Sequence, residues 1–210
     1  MNLNEIHKKV IFSFQKDFHL QLDPYVKDFA QIEIKIIEEY FNLSKSCYGR
    51  NIKYSREWTK GENRFLTNIG NEEDYLVFPQ EYYGTFKGGW LFDVVWVEAE
   101  KTDNETLMYE KADIKQPYNW KKTKRLVLAC ESEWHTAENE ILSDFFKLTF
   151  ASADLRLFVY TNPVRKLPHA KNHPSELCKD ICPQDRNFNY LLIGVPNSIK
   201  NNLQVDKFII

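Results

Sequence analysis

The chain has 210 residues, and its 28 Lys and Arg against 30 Asp and Glu leave a formal net charge of −2. That balance excludes a global basic field drawing the protein to nucleic acid, so polyanion binding would need local patches. No stretch approaches the roughly 18 consecutive apolar residues of a membrane helix. Met1 to Glu5 begin no apolar leader core, and Cys47, Cys130, Cys178 and Cys182 are too scattered for a disulfide framework. The expectation is a cytoplasmic protein with reduced thiols, no membrane partner and a single core.

In chain order, residues 1–50 read as N-terminal helices packing on the core. Ile6, Val10 and Phe14 recur every fourth residue. Asp23-Pro24 resembles an N-cap followed by proline at the first helical position. Val26, Phe29, Ile32, Ile36, Ile37, Tyr40 and Phe41 then form a stripe near period 3.6. The segment from Asn51 to Asn71 is polar and fits neither template. Tyr75 to Phe78 reads as a short strand stopped by Pro79.

Leu91 to Glu98 is a strand rich in Val, Phe and Trp. The charged run from Lys101 to Lys124 reads as a long hairpin connection. Leu126 to Cys130 is a continuous apolar run, as in a central strand covered on both faces. Ala137 to Ala153 has helical periodicity, and Leu155 to Tyr160 is another buried strand. Pro174 to Cys182 reads as a short helix, and Tyr190 to Val195 and Lys207 to Ile210 as late strands. A strand–helix–strand unit with buried strands implies a parallel pair. The fold class is therefore α/β (α+β), with a mixed central sheet flanked by helices. Residues 75–161 form the core of one domain, and residues 162–210 add a helix and strands that complete the sheet.

Acids stand where apolar strands are expected. Asp93 lies within Trp90-Leu91-Phe92-Asp93-Val94-Val95-Trp96, and Glu131 and Glu133 end the run from Arg125. Burying an isolated carboxylate is costly, so such acids need a partner, a metal or water. Residues two apart on a strand share a face, so Glu131 and Glu133 project together. Hard oxygen ligands of this kind suit Mg²⁺ or Mn²⁺. On the following helix, Glu140, Asp144 and Lys147 share a face at i, i+4, i+7.

The element order and these residues together resemble the PD-(D/E)XK nuclease superfamily, whose restriction-endonuclease-like core runs helix, three strands, helix, strand. The resemblance covers roughly Tyr75 to Tyr160. It places Asp93 at the strand acid and Glu131 at the acid of the Glu-x-Lys tripeptide. Glu133 occupies the tripeptide's lysine position, and Lys147 on the next helix is the stand-in. The resemblance implies metal-dependent phosphodiester hydrolysis, with Asp93, Glu131 and Glu133 around Mg²⁺ or Mn²⁺ and Lys147 countering developing charge. It implies a nucleic-acid partner, DNA before RNA. The Glu133 departure keeps a catalytically inactive binding module as the alternative, and a carboxylate-pair glycosidase is a third class.

Two basic clusters, Lys121, Lys122, Lys124 and Arg125 beside Trp120, and Arg156, Arg165, Lys166 and Lys171, are candidate phosphate contacts. His169, His173, Cys178 and Cys182 have ligand chemistry suited to zinc. Their C-x3-C spacing and apolar neighbours fit buried thiols better. The N-terminal helices either cap the sheet or support a homodimer.

Overall fold

The computed structural model describes residues 6–13, 18–49, 55–79, 91–101, 120–135, 137–162, 188–196 and 202–209. Their elements run β1 (Ile6–Phe12), α1 (Phe18–Leu22), a 3-10 turn (Val26–Asp28), α2 (Gln31–Gly49), α3 (Ser55–Glu72), β2 (Leu76–Pro79), β3 (Val94–Lys101), β4 (Trp120–Glu133), α4 (Glu138–Thr149), β5 (Ala153–Asn162), β6 (Asn189–Pro196) and β7 (Leu203–Ile209). The strands form one mixed sheet of seven, ordered β1-β7-β6-β5-β4-β3-β2. The fold class is the expected mixed α/β arrangement.

β2, β3 and β4 form an antiparallel meander. β5 pairs parallel to β4 through the α4 crossover, and β6 parallel to β5. β7 and β1 close the far side antiparallel. Alternation along the strands divides the core in two. One face of the sheet, with Trp96, Leu128, Cys130 and Leu157, packs against α2 and α3 through Ile36, Phe41 and Leu66. The other, with Val95, Ala129, Phe158 and Tyr190, packs against α4 through Ile141, Phe145 and Leu148. Each such fully buried side chain contributes roughly 2 kcal/mol, so both helical layers are held chiefly by burial.

The first segment corrects the sequence reading. Ile6–Phe12 is an edge strand paired with β7, not a helix. A spacing of four lies on one face in a strand as well as in a helix, so Ile6 and Val10 could not discriminate. Val10 and Phe12 point into the core while Ile11 is exposed, which is the strand alternation. Nor does a helix start at Pro24. α1 ends at Leu22, and the chain turns through Tyr25 before α2 begins at Gln31. The ambiguous Asn51–Asn71 segment is largely α3. Its inward face includes Glu62 and Asn63 beside Trp58, Phe65, Leu66 and Ile69, which dilutes the apolar pattern. Gly70 permits α3 to approach the sheet: a Cβ there would lie 2.5 Å from Val77 Cγ2 and 2.9 Å from Trp96 Nε1.

β4 is longer than expected, starting at Trp120 instead of Leu126, and β3 is shifted three residues along the chain, running Val94–Lys101 instead of Leu91 to Glu98. The connection between β3 and β4, the short helix at Pro174–Cys182 and the His169, His173, Cys178 and Cys182 group lie outside the described residues. Cys47 and Cys130 are buried free thiols. No helix among the described residues is long and apolar enough to cross a membrane.

Two buried charges away from the acidic strand ends are fully satisfied. Glu33, in the first turn of α2, accepts from Ala30 N at 2.9 Å, half of a capping box. It also accepts from Asn189 Nδ2 at 2.8 Å and Lys207 Nζ at 2.6 Å, tying α2 to β6 and β7. Arg156 is buried under α4. It donates to the carbonyls of Leu148, Ala151 and Ala153 and stacks 3.3 Å from the Phe188 ring centre. It thus caps the C-terminal end of α4, where the helix dipole favours a cation. Arg156 is therefore not a phosphate contact.

Lys207→Met leaves the Glu33 carboxylate without its cation in the core. The expected cost is about 3 kcal/mol, read from urea unfolding midpoints. A change below about 1 kcal/mol would show that the pair is screened like a surface pair.

Candidate active site

The predicted acids meet where β3 begins and β4 ends. Val94 is registered against Cys130, which brings Asp93, just ahead of β3, beside Glu131. Asp93 N donates to Cys130 O at 3.0 Å, continuing the ladder one residue beyond the strand. Its carboxylate Oδ2 accepts from both Ser132 N and Ser132 Oγ, each at 2.8 Å. Two donors on one oxygen fix the carboxylate's position, as an acidic ligand requires.

Alternation then distributes β4. Cys130 points to the α2–α3 side, while Glu131 and Glu133 point to the α4 side. α4 runs back over that face and supplies Lys147. Lys147 Nζ lies 3.0 Å from Glu131 Oε2 and 2.7 Å from Asp144 Oδ1, bridging strand and helix. Asp93, Glu131 and Lys147 are thus brought together from two adjacent strands and the following helix. Glu140 on α4 is exposed.

Glu133 is engaged differently. Its Oε1 accepts from His135 N at 2.6 Å, and its carboxyl lies near Asp144 on α4. Burial and Asp144 together push the Glu133 carboxyl up from its ordinary value. Its neighbours are His135, just beyond β4, and Asp144 on α4.

Sequence reasoning missed Glu62. It is fully buried on the inward face of α3 and accepts from Cys130 Sγ at 3.3 Å through Oε1. Burial, then the charge of Asp93, raises its carboxyl to about 8, against hydrogen bonding from Cys130, Tyr40 and Ser132. Ser132 therefore interacts with both acids. The only sequence signal was a glutamate four residues after Trp58 on a face otherwise apolar, which a period analysis counts as a defect.

The electrostatics show an excess of negative charge. Burial, and then the charge of Asp93, raises Glu131 to about 8. Burial also raises Asp93, opposed by the Ser132 donors and the charge of Lys147. Burial alone would lower Lys147, but its hydrogen bonds to Asp144 and Glu131 outweigh it and hold the ammonium charged. One lysine faces the carboxyls of Asp93, Glu131 and Asp144, and burial with the crowding of the acids is what raises Asp93 and Glu131.

Two carboxyl oxygens of this cluster, Glu131 Oε1 and Glu62 Oε2, are buried without a hydrogen-bond partner, while Glu131 Oε2 is taken by Lys147. A buried carboxylate oxygen without a donor costs roughly 1–3 kcal/mol or more. Mg²⁺ keeps several waters and needs only one or two carboxylates. Asp93 with the free oxygen of Glu131 meets that requirement. Among the described residues no group of three His, Cys, Asp or Glu side chains is arranged to hold a metal by itself.

The predicted basic contacts fall elsewhere. Lys124 and Arg125 pair with Glu98 at 3.5 and 2.7 Å, and Arg125 also with Asp154 at 2.7 Å. Six residues of strand separate Arg125 from Glu131, about 20 Å. Lys121 and Lys122 lie on the first part of β4, and Arg165, Lys166 and Lys171 lie outside the described residues. No protein-family model, curated protein or solved structure matches the chain.

A carboxyl whose folded pKa exceeds its unfolded value favours the fold while protonated. For Glu62 that contribution is complete below about 4.5 and lost as pH rises through about 8. Thermal melts of the wild type are expected to fall between pH 6 and pH 9. Glu62→Gln, which stays neutral, is expected to fall less. Equal slopes would remove Glu62 as a source of that dependence.

Proposed function

We propose that the chain is a nuclease-like phosphodiesterase that hydrolyses nucleic acid with Mg²⁺ or Mn²⁺, DNA before RNA. The observation that carries this reading is the convergence of Asp93 and Glu131 from neighbouring strands with Lys147, together with the unpartnered buried oxygen of Glu131. The order α3, β2, β3, β4, α4, β5 also follows the helix, three strands, helix, strand core of the PD-(D/E)XK resemblance.

In this reading Asp93 and Glu131 hold the cation, and Ser132 keeps Asp93 in place through its two donors. The bound ion would lower the pKa of a coordinated water and neutralise charge on the phosphoryl oxygens. Lys147 takes the role of the tripeptide's lysine in this reading; its contact with Glu131 at 3.0 Å supports that role. Its ammonium is held charged by Asp144 and Glu131 and meets the charge that develops on the phosphorus oxygens. Glu133 braces α4 through Asp144 and is not itself the lysine's substitute. Glu62 supports the site from behind β4.

A second reading, a binding module without catalysis, is favoured by two observations. Lys147 already occupies one oxygen of Glu131, and no three-residue ligand set exists among the described residues.

Purified protein is expected to cleave labelled DNA in Mg²⁺ or Mn²⁺ and to stop on chelation. Asp93→Asn, Glu131→Gln and Lys147→Met should each slow cleavage by about 10²-fold or more. Cleavage that persists in both carboxylate variants would sink the assignment. No cleavage, and no Mn²⁺ binding dependent on Asp93 by calorimetry, would favour the binding module.

A further inference from the structure

Among the described residues, two of the basic side chains proposed as phosphate contacts are engaged elsewhere: Arg125 pairs with Glu98 and Asp154 at 2.7 Å each, and Arg156 is buried. α3 offers others. Arg56, Lys60 and Arg64 are all exposed and recur every fourth residue. At 1.5 Å rise per residue they form one stripe of about 12 Å along the helix. The stripe lies opposite the buried face that carries Trp58, Glu62, Leu66 and Ile69.

Among the described residues neither Arg56 nor Arg64 has a carboxylate within ion-pair distance. Lys60 meets Glu57 at 3.4 Å, with both side chains nearly half exposed. Such exposed pairs on a helix surface are weak and readily exchanged. Three cations on one rail thus stand out on a chain whose formal net charge is −2.

The rail also points to the right end of the molecule. Trp134, just beyond Glu133, donates from Nε1 to Thr59 Oγ1 at 3.1 Å and packs on Trp58 at 5.4 Å between ring centres. The first half of α3, with Arg56 and Lys60, is thereby pinned beside the end of β4, on the face of the sheet opposite Glu131 and Lys147, so a strand docked there reaches the acids by passing around that end of the sheet.

We propose that the outer face of α3 is where the sugar–phosphate backbone of the nucleic acid docks, with Arg56, Lys60 and Arg64 each meeting phosphate. The choice of polyanion rests on the phosphodiesterase reading; the surface itself does not. These contacts position the strand and read no sequence.

The test is fluorescence anisotropy with a labelled 30-nucleotide DNA, single-stranded and duplex, in chelator so that nothing is cleaved. The triple variant Arg56→Ala/Lys60→Ala/Arg64→Ala is compared with the wild type across salt concentrations. Lys124→Ala/Arg125→Ala serves as the charge control. The rail predicts about a tenfold or greater loss in the triple variant and a salt slope shallower by about 2, with little change in the control. Because all three side chains are exposed, the variant should melt with the wild type.

Wild-type affinity in the triple variant, an equal loss in the control, or no binding by the wild type would each overturn the proposal. Cleavage assays separate it from the reading on which it rests. Rail-dependent binding without cleavage supports the surface and removes the hydrolytic reading. Cleavage indifferent to the rail overturns the surface and leaves hydrolysis standing.

Discussion

A buried carboxylate must find a donor or a cation, and this fold collects several at one point. Asp93, Glu131 and Glu62 meet around the last turn of the ladder between β3 and β4, with Glu133 and Asp144 close by. Their cost constrains the surrounding structure. Ser132 places two donors on Asp93, Cys130 donates to Glu62, and α4 runs at the height that brings Lys147 to Glu131. Had α4 been shifted by one residue, Lys147 would rotate away from that oxygen by about a hundred degrees and leave it unpaired.

The contrast with the other buried charges gives this cluster its meaning. Glu33 has an amide, an asparagine and a lysine on its two oxygens. Arg156 spends its guanidinium on three carbonyls and an aromatic ring. Both are closed structural devices that lock helices onto the sheet. At the strand ends the accounts do not close: an oxygen of Glu131 has no partner and one lysine faces several acids. Under the proposed reading, a bound cation would meet that oxygen.

The site's position also follows from topology. β4 and β5 run parallel and α4 connects them, so the carboxyl end of β4 opens between the sheet and the helix. Ligands in sheets of this kind gather at the carboxyl ends of the strands. The antiparallel partner β3 begins at that same end, which is how an acid thirty-eight residues earlier in the chain reaches Glu131. Lys124 and Arg125 on β4 lie toward the opposite end and pair with Glu98 and Asp154 there, away from the acids.

Much of this was legible in the chain. Apolar runs marked β3, β4, β5 and β6, the periodic segment after them marked α4, and acids inside apolar company marked Asp93 and Glu131. Period and burial are local properties that neighbouring residues report faithfully. What failed was also local in cause. Ile6 and Val10 fit a strand and a helix equally, and α3 looked polar because Glu62 and Asn63 occupy its buried face. The sequence by itself determined the class of fold and two of the acids, because alternation and helical period are written residue by residue. Only the tertiary structure decided that Lys147 reaches Glu131, that Glu133 turns to Asp144, that Glu62 stands behind Asp93, and that Arg156 is a cap. Each of those depends on which strands lie side by side and how a helix is seated above them, and no spacing along the chain encodes that distance.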